Sequence, residues 1–186
     1  MQAIFDSFLN FDLSVFQWIQ SIQNEFFDAL MVGITTLGNG GAVFIALGLV
    51  LLFTKKYRKA GLGVLVALLV MLLCNDLFLK EFFARPRPFN LFETDPEKYA
   101  FWAKGYIYPE LISKPTSFSF PSGHTGMSFS GAAFTTSVFC HSFPNSKWKA
   151  AVAGFSFGIA ALTGGLRMAS GNHFFTDVLA GATIGT

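Results

Sequence analysis

Three short polar segments carry the chemistry of this chain. They are Lys80-Glu81-Phe82-Phe83-Ala84-Arg85-Pro86-Arg87-Pro88, Pro121-Ser122-Gly123-His124, and Arg167 to Asp177, which includes Ser170-Gly171-Asn172-His173. Lys80, Arg87 and Arg167 are three cations, and three cations around one site call for an anion of multiple charge. Arginine offers a planar fork that matches phosphate oxygens, and lysine offers a point charge. Ser122 stands where it can cap a helix whose first free N–H groups point at a phosphate, and Gly123 lets the backbone approach closely. His173 and Asp177 are four residues apart and share a face if they lie on one helix. A carboxylate on one imidazole nitrogen fixes the tautomer and leaves the other nitrogen free to attack, which makes His173 a candidate nucleophile. His124, on a different helix, can protonate a leaving oxygen and later take a proton from water.

Each piece alone has a plainer reading. A buried histidine is more often a satisfied core residue, and His173 with Asp177 could be a metal pair that lacks a third ligand nearby. Arg167 and His173 would stand about 120° apart on one continuous helix, so they converge only if the Ser170-Gly171-Asn172 turn separates two helices. Asn172 is then the expected N-cap of the second helix. Asp76, four residues before Lys80, is read as its support. Arg85 is read as either a headgroup contact or a solvated surface charge. The third histidine, His141, falls in a different loop and has no assigned role.

The elements that must position these groups are membrane helices. The chain has 186 residues, of which 52% are hydrophobic and 13% charged. Its mean hydropathy is +0.50. Charged residues are about half as frequent as in a soluble domain. The net charge of +2 is too small to footprint a polyanion, so no nucleic-acid partner is expected. Residues 29–54, 60–75, 115–146 and 150–166 contain no Asp, Glu, Lys or Arg. A span needs about 20 mostly apolar residues. The first and third runs qualify outright, and the second and fourth do so with their flanks. Gly38-Asn39-Gly40-Gly41 should divide the first run into a short helix and a spanning one. The prediction is an all-α, integral-membrane bundle of about five spanning helices in one domain over 1–186.

Residues 1–27 form either an amphipathic interfacial helix or a first helix packed on the bundle. They are not a signal peptide, because Met1 to Thr54 contains no Lys or Arg. Residues 83–121 form a long loop rich in proline and aromatics. Phe89, Phe92, Tyr99, Phe101, Trp102, Tyr106 and Tyr108 there form a lid over a headgroup or an interfacial helix, the second being preferred. The short loops 55–59 and 141–149 hold six of the 13 cations and no acids, which places them in the cytoplasm. All three polar segments then share the extracytoplasmic face. Cys74 and Cys140 fall at opposite faces, too far apart to bridge. The last helix, from near His173 to Thr186, is about 21 Å long and looks cut short.

Lys80 to Pro88 reads K-x6-R-P, residues 121–124 read P-S-G-H, and residues 167–177 read R-x5-H-x3-D. In order and spacing this resembles the three-part signature of the type 2 phosphatidic acid phosphatase family, over about residues 60–186. The family shares its catalytic core with vanadium haloperoxidases. The resemblance implies His173 as nucleophile, Asp177 as its partner and His124 as acid/base. It implies Lys80, Arg87, Ser122, Gly123 and Arg167 as phosphate ligands, in a mechanism without metal or other cofactor. Leu166 stands where the family often has serine, which removes one possible phosphate contact.

The activity implied is hydrolysis of a lipid phosphomonoester or diphosphate through a phosphohistidine. Candidate substrates are undecaprenyl diphosphate, phosphatidylglycerol phosphate, phosphatidic acid and a lipid A phosphate. The expected setting is a bacterial cytoplasmic membrane. A phosphotransferase using the same intermediate and a silent lipid-phosphate-binding protein are the rival readings. A haloperoxidase is disfavoured by the four apolar runs.

Overall fold

The computed structural model describes residues 2–22, 24–26, 29, 33, 42–99 and 114–186. These residues form helices and no strand, as the patterning predicts. The expected break at residues 38–41 and the aromatics Phe101, Trp102, Tyr106 and Tyr108 lie outside the described residues.

Helix α1 (Gln2–Ile22) buries Phe5, Asp12, Leu13, Phe16 and Ile19, a stripe at helical spacing. It is therefore a packed helix, the second of the two expectations. Leu13 and Phe16 meet Phe92 and Tyr99 of the following loop region. Its outer face remains apolar, with Ile4, Phe8, Phe11 and Trp18 exposed.

Helix α2 (Ala42–Phe53) is the described part of the first apolar run; at 12 residues it is about 18 Å long, short of a crossing. It packs on α3 (Arg58–Leu72) where Gly48 and Gly61 let the two backbones approach. Helix α3 buries Gly61, Val64, Leu68 and Met71, and the stripe continues to Asn75. A regular helix would next turn Phe78 or Leu79 inward. Instead residues Leu73–Leu79 are π-helical, and the Lys80 N–H reaches the Asn75 carbonyl five residues back. The extra residue turns Lys80 inward and leaves Phe78 68% exposed. A last turn, α4 (Lys80–Phe83), ends at Ala84 in the left-handed region, φ 46°.

Helix α5 (Pro88–Thr94) carries its proline at the first helical position. The buried Phe89 and Phe92 show that this part of the aromatic loop is packed, not spread on an interface. Helices α6 (Gly123–Ser142) and α7 (Lys149–Ala169) form a hairpin, and α8 (Phe175–Gly185) returns against α6. A Cβ on Gly181 would strike the Ser122 carbonyl, and one on Gly185 the Gly126 carbonyl. Small residues four apart thus let α8 lie directly on α6.

The segments Arg58–Thr94 and Lys149–Ala169 are long and apolar enough to cross a membrane, while α2 and α8 are shorter apolar helices. Leu62, Val66, Leu69, Leu77, Phe155 and Ile159 face outward. An apolar surface of this extent belongs in a bilayer. Cys74 and Cys140 are both free thiols.

Candidate functional site

The turn between α7 and α8 closes as its residue types suggest. Gly171 takes φ 64°, and the Arg167 carbonyl accepts from the N–H groups of both Asn172 and His173, each at 3.2 Å. This folds His173 back over the end of α7, beside Arg167. Asn172 does not cap the next helix. Its side-chain amide donates to Ser170 Oγ at 2.7 Å, and the helix begins at Phe175. Phe174 holds the N-cap position, and Asp177, at the third helical position, reaches back so that its Oδ2 accepts the Phe174 N–H at 2.8 Å. His173 therefore precedes the helix that carries Asp177. The pair still meets, with Nδ1 3.7 Å from Oδ2, beyond hydrogen-bond length.

Arg87 fixes the other side of the imidazole. Its Nη1 lies 3.2 Å from His173 Nε2 and donates to the Asn172 carbonyl at 2.9 Å. A guanidinium has no acceptor, so Nε2 presents its lone pair and the proton belongs on Nδ1, facing Asp177. Burial lowers the His173 pKa to about 3; Arg87 and Arg167 act in the same direction, and Asp177 opposes them. The ring is neutral near pH 7.

The rest of Arg87 is held by the loop before α6. Nε donates to the Ser117 carbonyl at 2.7 Å, and Nη2 to Ser117 Oγ at 3.0 Å and the Phe118 carbonyl at 3.1 Å. Ser117 Oγ also lies 3.5 Å from Lys80 Nζ, so one hydroxyl links two of the cations. Lys80 pairs with Asp76, as its position one turn earlier suggests. Arg167 is buried at the end of α7, close enough for its charge to act on both His124 and His173.

Ser122 occupies the N-cap position of α6, but its hydroxyl bonds Thr125 Oγ1 at 2.9 Å instead of a backbone N–H. Its own N–H donates to the Asp177 carbonyl at 3.0 Å, tying α6 to α8 at the site. A Cβ on Gly123 would come within 2.9 Å of Asn75 Nδ2, the end of a side chain on the π-helical turn, so α6 starts in close contact with that turn. His124, in the first turn of α6, lines a cavity of about 500 Å³ with Asp76 and Lys80. The remaining wall is apolar, formed by Ile45, Leu65, Leu69, Leu72 and Met127.

All eight residues singled out in the sequence thus converge at one end of the bundle. Arg85 is neither a headgroup contact nor a solvated surface charge: it is buried, and it donates to Asp177 Oδ1 at 2.5 Å and Asp12 Oδ2 at 2.6 Å. Ser117, Ser119 and Asp12 escaped notice. Ser119 Oγ donates to Asp177 Oδ2 at 2.5 Å. The serines alternate with Phe118 and Phe120, a period-two pattern within a stretch read only as loop. Asp12 had one signal, an acid set directly between Phe11 and Leu13 in α1.

This arrangement holds a neutral imidazole between Arg87 and Asp177, with a second imidazole on a separate helix that lines the cavity. Among the described residues no three His, Cys, Asp or Glu side chains gather as a metal site would require.

Residues 60–186 match the PAP2 superfamily. A lipid A 4'-phosphatase of Porphyromonas gingivalis is 29% identical over 181 residues, covering 95% of this chain and 69% of the relative. An undecaprenyl-diphosphatase of Sulfolobus acidocaldarius is 26% identical over 182 residues, covering 96% and 75%. Among solved structures, a transmembrane PAP2-type phosphatidylglycerolphosphate phosphatase of Bacillus subtilis superposes with a TM-score of 0.73 at 27% identity, over 96% of this chain and 81% of the other. LpxE of Aquifex aeolicus gives 0.64 at 26% identity, over 93% and 88%.

Proposed function

The chain belongs to the PAP2 superfamily, and on that premise we propose that it is an integral-membrane phosphatase that hydrolyses a phosphomonoester or diphosphate of a lipid. The observation that carries the lipid is the cavity. One end holds Lys80 and His124, and the adjoining wall is Leu, Ile and Met side chains. A phosphate can sit at the Lys80 and His124 end while a hydrocarbon chain stays against the apolar wall.

His173 Nε2 attacks phosphorus. The bond to the leaving oxygen breaks, and His124, which burial and the neighbouring cations keep neutral in the free protein and which takes up a proton as the phosphate anion binds, gives that oxygen its proton. Asp177 supports the positive charge that grows on the His173 ring. Water then attacks the phosphohistidine, His124 takes a proton from it, and inorganic phosphate leaves. Lys80, Arg87, Arg167 and the first N–H groups of α6 neutralise the phosphoryl oxygens through both steps. The chemistry needs no metal, and the site opens on the extracytoplasmic side.

The test is phosphate release by the detergent-purified protein from undecaprenyl diphosphate, phosphatidylglycerol phosphate, phosphatidic acid and a lipid A phosphate, with EDTA present, beside His173→Ala. Release from at least one lipid that survives EDTA and vanishes in the variant supports the reading. Release blocked by EDTA, or unaffected by the substitution, contradicts it.

A further inference from the structure

The family match begins at residue 60, yet a carboxylate from α1 reaches this site. Asp12 and Arg85 are each 1% exposed, and Asp177 is 0% exposed. Arg85 spans the two acids, Nη1 to Asp177 Oδ1 at 2.5 Å and Nη2 to Asp12 Oδ2 at 2.6 Å. Asp12 also accepts the Thr176 N–H at 2.9 Å and the Thr176 hydroxyl at 2.7 Å. The rings of Phe5 and Phe174 lie 4.6 and 4.2 Å from the guanidinium carbon and shield it from water.

We propose that Asp12 and Arg85 are positioning residues for His173, acting on it through Asp177. This rests on His173 being the nucleophile. The argument is one of charge and orientation. Arg85 holds Asp177 Oδ1, while Ser119 and the Phe174 N–H hold Oδ2, so the carboxylate cannot turn away from the imidazole. Arg85 alone would also cancel the negative charge that Asp177 must offer when the ring becomes positive. Asp12 returns that charge, leaving the trio with a net charge of −1 in a buried setting where such charges act over several ångströms. It also pairs Arg85, so that this guanidinium adds no uncompensated charge to the three cations of the site. The N-terminal helix thereby completes the site electrostatically without touching substrate.

Two near-isosteric substitutions separate this role from that of a latch. Asp12→Asn keeps the shape and an oxygen acceptor for Thr176 but removes the charge. Thr176→Val keeps both charges but removes the hydroxyl bonds to Arg85 and Asp12. Each is compared with wild type and His173→Ala in release of phosphate, in detergent, from whichever of undecaprenyl diphosphate, phosphatidylglycerol phosphate, phosphatidic acid and a lipid A phosphate wild type hydrolyses fastest, with thermal unfolding as the check on folding. Asp12→Asn should lower kcat about tenfold or more with KM within about twofold, and Thr176→Val should keep kcat within about threefold. Wild-type kcat in a folded Asp12→Asn protein overturns the proposal, as does a Thr176→Val loss as large as that of Asp12→Asn. If Asp12→Asn does not fold, Arg85→Lys takes its place, since it keeps the charge but reaches only one acid. A wild-type kcat there overturns the proposal, and a tenfold loss at unchanged KM supports it. If wild type releases no phosphate, or His173→Ala matches it, the nucleophile assignment has failed. If those controls hold and only Asp12→Asn behaves as wild type, this inference alone has failed.

Discussion

At the residue scale, Arg87 shows how much one side chain can fix. It bonds three carbonyls, one hydroxyl and the attacking face of His173. Lysine carries the charge but cannot reproduce the fork. Arg87→Lys should lower kcat about 100-fold in phosphate-release assays, with the protein still folded. His173 yields a second expectation, for stability. Its folded pKa is lowered from 6.5 to about 3. Above pH 6.5 both folded and unfolded chains hold it neutral and its contribution is constant. Between pH 6.5 and 3 the unfolded chain takes up a proton that the folded chain refuses, so stability falls by roughly 1.4 kcal/mol per pH unit. Thermal unfolding in detergent should therefore weaken from pH 6.5 to 4.5, and His173→Gln should flatten that slope. That the eight candidate residues gather in one place was legible from sequence because rare polar types clustered at span ends. The parts of Ser119 and Asp12 were not, because a serine in a loop and an acid in an amphipathic helix have many commoner explanations.

At the element scale, two local departures from regular helix aim the cations. The π-helical turn at Leu73–Leu79 brings Lys80 inward, and the left-handed Ala84 ends the helix so that Arg85 and Arg87 follow outside it, Arg87 in extended backbone. Each proline bars the helical region from the arginine before it. A left-handed alanine costs about 1 kcal/mol that glycine does not incur. Ala84→Gly should raise the unfolding midpoint by a few degrees and leave phosphate release intact. The α6–α8 contact tolerates no such freedom. Gly181→Val should drive α8 from the Ser122 carbonyl, part the Ser122 N–H from Asp177, and cost both activity and about 2 kcal/mol or more of stability. Apolar runs, glycines and prolines announced the helices and their ends. The π-turn was not announced, since the apolar residues from Leu72 to Leu79 fit either periodicity. The capping of α8 by Asp177 was hidden because Asn172 is the better N-cap by type alone.

At the scale of the whole molecule, the fold sets a cationic end against an apolar wall, and α1 closes the far side of the site. The positive-inside pattern predicts that the 55–59 loop and the 88–99 region face opposite compartments. Single cysteines introduced as Lys55→Cys and Glu93→Cys, in a background lacking Cys74 and Cys140, should react with an impermeant maleimide from opposite sides of sealed vesicles. Labelling of both from one side would contradict the orientation. The membrane class was plain from composition, whereas the packing of α1 was not, because its apolar residues cover more than one face. The central claim, attack by His173 Nε2, is tested most directly by rapid quench of the first turnover with a lipid carrying ³²P in its terminal phosphate. Denaturation in alkali preserves a phosphorus–nitrogen bond, and peptide mapping locates the label. The account predicts alkali-stable, acid-labile label on His173, formed in EDTA and absent from His173→Ala. Label on another residue, or phosphate release at full rate with no labelled protein at any time, would contradict it.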